Sequence, residues 1–283
     1  MEDEVSFITS HGFSCPIFGN PLSEGKPRMK KIVWIFLLLA IAVPGWAKAK
    51  ITKKTFEFQG RVRTYTLYVP EVAEPMPVLL ILHGFMISDQ YGDPGQPRIA
   101  YSMVNSWKDL ASSEHFIVVA PNDAGSRPSD FWDGDWNPPE FFRLLMEQID
   151  NQHAIDASRI YLFGDGEGAQ YALSIALTDS RFYAAVAIHA GSLNPDYSAL
   201  LAPAHRRLPI GLWAGNMDQE CPLYRVRKSK DILDAAGYPV EMNIVPNHGH
   251  DYFTLDGILN ERVWKFLKKA QLQLAGPAVV DRQ

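Results

Sequence analysis

Cysteine is nearly missing from this chain: Cys15 and Cys221 are the only two in 283 residues. Cys15 falls in a segment read below as absent from the mature protein, which leaves one thiol and excludes an internal disulfide framework. Basic residues are also in short supply, with 27 Lys and Arg against 32 Asp and Glu and a formal net charge of −5. No basic stripe breaks that balance, so nucleic acid is excluded as an expected partner. The longest apolar run, Ile32 to Val43, has 12 residues, well short of the roughly 20 that a membrane-spanning helix needs. Internal repeats, low-complexity tracts and an interdomain linker are all missing. Asp130, Asp133 and Asp135 have a faint calcium-like spacing, but the rest of an EF-hand loop is not there. No metal and no cofactor are expected.

The N-terminal pattern is what an export signal requires. Met29-Lys30-Lys31 is a positive start, the apolar run follows, and Ala47-Lys48-Ala49 has the small-x-small form of a cleavage site. Residues 1–28 show no periodicity and read as an over-long N-terminal extension, with 29–49 as signal peptide. Residues 50–283 then form a single domain, long enough for a large core. A secreted or periplasmic location is expected, with no stable membrane insertion once the signal is cut.

Beyond residue 50, apolar β-type runs alternate with helical patterns. Thr55–Gln59 and Arg63–Val69 read as a hairpin around Gly60. Val78–Leu82, Ile117–Ala120, Ile160–Phe163, Ala184–Ile188 and Ile210–Trp213 are continuously apolar, as expected of parallel strands covered on both faces. Val240–Val245 alternates and reads as lying nearer a sheet edge. Helical patterns fall at 100–112, 139–153, 169–177, 223–236 and 252–272. The alternation predicts an α/β fold, a doubly wound, mostly parallel sheet with helices on both faces.

Chemistry is expected beyond the carboxyl ends of those strands. Gly164-Asp165-Gly166-Glu167-Gly168 stands between a strand and a helix, the setting of the G-x-S-x-G nucleophile corner. The framing glycines are in place, but Gly166 occupies the nucleophile position and has nothing to attack with. The backbone N–H of Glu167, the next residue, is a candidate oxyanion donor that the loss of a side chain does not remove. His83-Gly84-Phe85 after an earlier strand is placed to supply the other donor. Asp218, shortly after the strand Ile210–Trp213, is the candidate acid, with Glu220 in reserve, although an aspartate there equally suits a helix cap. His250, after the strand Val240–Val245 and a glycine, is the candidate base; His248 reads more simply as a polar loop residue. Asp165 is a poor alternative nucleophile, because Phe163 and Glu167 would be its flanking residues in so tight a corner. Ser192 reads as a turn serine, and Ser174 lies inside a helix. Trp132 and Trp136, in the loop Phe131–Trp136, are candidate substrate-binding residues for a sugar or phenolic ring; a surface loop pinned by its own aromatics is an equally good account.

On Gly164–Gln170, Gly215–Pro222 and Asn247–Tyr252, the chain resembles the α/β-hydrolases, especially the secreted feruloyl-esterase and polyhydroxybutyrate-depolymerase-like group. The likeness extends from Arg63–Pro70 to the C-terminal helix. In that group the corner commonly reads Gly-His-Ser-Glu-Gly-Ala, so this chain departs at Asp165 and at Gly166. The resemblance implies an α/β-hydrolase fold, with Asp218 and His250 as acid and base and Phe85 and Glu167 as oxyanion donors. It implies an exported esterase-like protein whose partner is a small-molecule ester, acyl or carbohydrate-linked ligand. Gly166 turns the expectation toward a catalytically impaired or inactive homologue. The alternative is an active carboxylic-ester hydrolase of feruloyl, acetyl or polyester type, using His250 and Asp218 with water or an unidentified nucleophile.

Overall fold

A computed structural model describes residues 49–84, 98–122, 138–193, 201 and 206–273. The expected extension and nearly all of the expected signal segment, through residue 48, lie outside the described residues, as do Phe85, Trp132 and Trp136.

Among the described residues, eight strands form one sheet: β1 (Thr52–Phe58), β2 (Arg61–Tyr68), β3 (Met76–Leu82), β4 (Ile117–Pro121), β5 (Ile155–Asp165), β6 (Ala185–His189), β7 (Ile210–Gly215) and β8 (Val240–Val245). Their spatial order is β1-β2-β4-β3-β5-β6-β7-β8. β2 pairs antiparallel with β1 and with β4, and every later pairing is parallel. β3, β4, β6 and β7 are buried along their whole length, which is why they read as unbroken apolar runs. β8 is an edge strand and is only partly covered, exposing Glu241 on one face and Ile244 on the other.

Among the described residues, five helices cover the sheet: α1 (Arg98–Glu114), α2 (Pro138–Asp150), α3 (Glu167–Thr178), α4 (Leu223–Ala235) and α5 (Asp256–Leu267). The two-residue period of the strands divides the core into two layers. Val78, Leu80, Ile160, Leu162, Val186 and Ile188 pack with α2, α3 and α4. Leu79, Ile81, Tyr161, Phe163, Ala185 and Ala187 pack with α1 and α5 on the opposite face. The last helix is shorter than its sequence pattern suggests. Asp251 caps a separate 3₁₀ turn, Tyr252–Thr254, by accepting from the Phe253 N–H at 3.1 Å, and α5 begins only at Asp256. Among the described residues no helix is long and apolar enough to cross a membrane.

The strand order has one consequence for function. From β3 the chain moves outward to β4, then returns to β5 on the other side and continues to β8. The carboxyl ends of β3 and β5 therefore flank the crevice where connections diverge, the position at which open α/β sheets bind ligands.

Candidate active site

The corner after β5 is tight because two segments of backbone nearly touch it. A Cβ on Gly164 would lie 2.6 Å from Ala169 Cα and from Gly168 O, and one on Gly168 would lie 2.2 Å from Leu82 O. Only glycine lets α3 approach the end of β3 so closely. Gly166 itself has φ +55° and ψ −118°, the strained conformation of a nucleophile corner. Its N–H donates to His189 O at 3.0 Å, which ties the corner to the end of β6. Glu167 is the first residue of α3, so its N–H belongs to the helix end whose amides and dipole favour negative charge.

A Cβ at Gly166 would stand 3.5 Å from His250 Nε2 and 3.6 Å from Gly84 Cα. The histidine is therefore aimed at the nucleophile position, and Gly84, just after β3, stands on the other side. His250 Nδ1 lies 2.9 Å from Asp218 Oδ2. Asp218 is buried, and its second oxygen accepts from the Glu220 N–H at 2.9 Å and the Cys221 N–H at 2.8 Å. The two expected roles of this aspartate, capping the turn before α4 and holding a histidine, are thus divided between its two oxygens. Glu220 sits on the other side of the ring: its exposed Oε2 is 3.7 Å from His250 Nε2, the edge that faces Gly166. It is not an alternative partner for Nδ1.

Gly166, Glu167, Asp218 and His250 are thereby brought together from β5, the start of α3, the β7–α4 turn and the loop after β8. Phe85, Trp132 and Trp136 lie outside the described residues. Cys221, near the acid, is a free buried thiol pushed up to about 11, first by burial and then by the Asp218 carboxylate. At neutral pH it is a protonated packing group and not a substitute nucleophile. Among the described residues no group of His, Cys, Asp and Glu is arranged to hold a metal ion.

Three residues acquire a setting that their sequence does not announce. His248 is buried, not solvated, with Nε2 3.0 Å from the Nε2 of His189. His189 is fully buried, and its Nδ1 is 2.7 Å from Asp165 Oδ1. His83 is also buried; desolvation lowers it to about 4 against smaller opposing effects from Gly84 O and the Asp165 charge. A usable signal existed in Asp165, an acid where the resembling group commonly has histidine, because a nearly buried carboxylate requires a proton-bearing partner.

Residues 137–269 match the phospholipase/carboxylesterase family model. A bifunctional acetylxylan esterase/xylanase from Neocallimastix patriciarum is 33% identical over 116 residues, 40% of this chain and 16% of that much longer protein. Among solved structures, a ferulic acid esterase superposes with a TM-score of 0.59 at 17% identity, over 78% of this chain and 98% of its own. An S-formylglutathione hydrolase from Agrobacterium tumefaciens gives the same score at 14% identity, over 78% and 95%. At such identities the structural likenesses establish the fold alone.

Proposed function

Because residues 137–269 match the phospholipase/carboxylesterase family model, we propose that the chain is an exported esterase homologue of the α/β-hydrolase type that binds its ligand without forming an acyl-enzyme. One observation carries this reading. At the corner where such proteins present a serine, Gly166 has the strained backbone and faces His250 Nε2 across 3.5 Å from its absent Cβ, but supplies no oxygen.

The roles follow from what each group can still do. His250 donates from Nδ1 to Asp218, which sets the ring's tautomer and leaves Nε2 as an acceptor toward Gly166. A ligand hydroxyl there donates to Nε2. A ligand carbonyl or carboxylate oxygen accepts from the Glu167 N–H at the start of α3, with Phe85 as the expected second donor. The set lacks the serine hydroxyl on which an acyl-enzyme forms at such a corner. The ligand class is a small ester, acyl or carbohydrate-linked molecule, and the acetylxylan esterase relative favours acylated sugars within it. The sequence pattern of residues 29–49 supports export.

A second reading is favoured by the intact acid–base pair. A water molecule at the missing hydroxyl position would have His250 as its base, giving direct hydrolysis. Losing a triad member typically leaves roughly 10³–10⁴-fold acceleration over water. Hydrolysis of p-nitrophenyl acetate and butyrate separates the two readings, with the protein assayed beside Gly166→Ser and His250→Ala. The binding reading expects a silent wild type and His250-dependent turnover in Gly166→Ser. Wild-type turnover abolished by His250→Ala would overturn the binding reading and place His250 in the reaction.

A further inference from the structure

We propose that the part-buried Asp165 and the buried His189 and His248 form a brace that positions His250 over the corner, each acting through the next and none touching the ligand. The inference rests on reading His250 as the base of the site.

The three residues join the end of β5 to the loop after β8 through side chains. Asp165 ends β5 and is the register partner of His189, which ends β6. β7 then intervenes before β8, the strand whose following loop carries His250. His248 spans that gap, its ring reaching over the end of β7 to His189 at 3.0 Å. The crossing depends on Gly215, the last residue of β7, since a Cβ there would lie 2.2 Å from His248 O and 2.5 Å from Gly249 O. His248 O also accepts from the Met217 N–H at 2.9 Å, which seats the loop on the turn that bears Asp218.

The proton count makes the link directional. Two imidazole nitrogens at 3.0 Å attract only when a single proton lies between them, because two N–H groups or two lone pairs would repel. The Asp165 carboxylate requires a proton on His189 Nδ1, which orients the fully buried ring with its Nε2 toward His248. The ring of Tyr252, held by its own hydroxyl to Asn260, lies 6.0 Å from His189 and closes the site from the α5 side.

From His248 to His250 the chain passes only through Gly249, whose Cβ position meets nothing within 4 Å. The His250 ring is therefore held by two anchors, Asp218 through its own Nδ1 and His248 two residues before it. The acid at position 165, unexpected in the corner motif, is accounted for as the end of this brace.

The first test uses the unmodified protein and does not depend on turnover. Imidazole ¹⁵N NMR should detect scalar coupling across the hydrogen bond between the Nε2 atoms of His189 and His248; its absence overturns the brace. The second test follows the His250 Nδ1 proton, which its bond to Asp218 should shift to low field. His248→Leu, verified as folded by cooperative unfolding, should broaden or abolish that resonance, and His248→Gln, which retains a donor for His189, should preserve it. In the Gly166→Ser background the leucine variant should lose roughly 10–100-fold in kcat with little change in KM. Retention of the resonance in His248→Leu would refute the positioning role. A Gly166→Ser protein without turnover would count against the proposed function and leave both NMR tests intact.

Discussion

His250 Nε2 lies 3.5 Å from the point where Gly166 would carry a Cβ, so the base is aimed at a side chain that this sequence does not have. The aim is maintained from behind by Asp218, 2.9 Å from Nδ1. Chemistry and stability therefore separate at position 166.

Gly166→Ala and Gly166→Ser should destabilise the protein to a similar degree, by about 1–2 kcal/mol, because any Cβ at φ +55° is strained. The space is sufficient, with the nearest atoms at 3.5 and 3.6 Å. Only the serine variant should gain ester turnover. Thermal unfolding of both variants beside p-nitrophenyl butyrate assays checks the separation.

Asp218→Ala and Asp218→Asn should behave differently. Alanine leaves the Glu220 and Cys221 N–H groups without their acceptor and should cost about 2–4 kcal/mol. Asparagine keeps an oxygen for those amides, and should cost less than half as much. In the Gly166→Ser background, however, asparagine should remove about 10⁴-fold of kcat by favouring the wrong His250 tautomer. Urea unfolding and ester kinetics on the same variants give both numbers.

His83 should make stability fall in mild acid. Its folded value of about 4 is below the ordinary 6.5, with burial as the leading cause. Between those two pH values the unfolded chain binds the proton more readily, so stability rises with pH. The contribution is complete above pH 6.5, is lost progressively as pH falls to 4, and amounts to about 3 kcal/mol. His248, lowered first by burial and then by His189, adds to the same direction. Unfolding free energies from pH 4 to 7.5 should show a shallower slope for His83→Gln than for the wild type.

Gly168→Ala should be far more damaging than either change at Gly166. Its Cβ would meet backbone, Leu82 O at 2.2 Å and His83 O at 2.5 Å, and backbone at the end of a central strand does not yield. A loss above about 4 kcal/mol is expected. Circular dichroism melting checks it, and an unchanged midpoint would mean that α3 stands further from β3 than described.

Much of the fold was legible because the signals are local. A strand covered on both faces must be apolar throughout, so Val78–Leu82 and Ile210–Trp213 announced themselves. Val240–Val245 alternated because it is an edge. The pattern at 252–272 was read as one helix because hydrophobic spacing does not register the Asp251 cap that sets Tyr252–Thr254 apart from α5. Asp218 and His250 could be nominated from strand ends alone. His248 reads in the sequence only as a polar loop residue, since nothing within its own loop indicates a partner 59 residues away.

The sequence by itself determined the order of strands and helices, through periodicity, and the absence of a hydroxyl at position 166, which no folding can supply. Only the tertiary structure decided which titratable groups share a site. The parallel order β5-β6-β7-β8 carries Asp165, His189 and His248 to the carboxyl end of the sheet, where each finds a side-chain partner. Such pairings depend on which strands are neighbours, and that is settled by packing the whole chain.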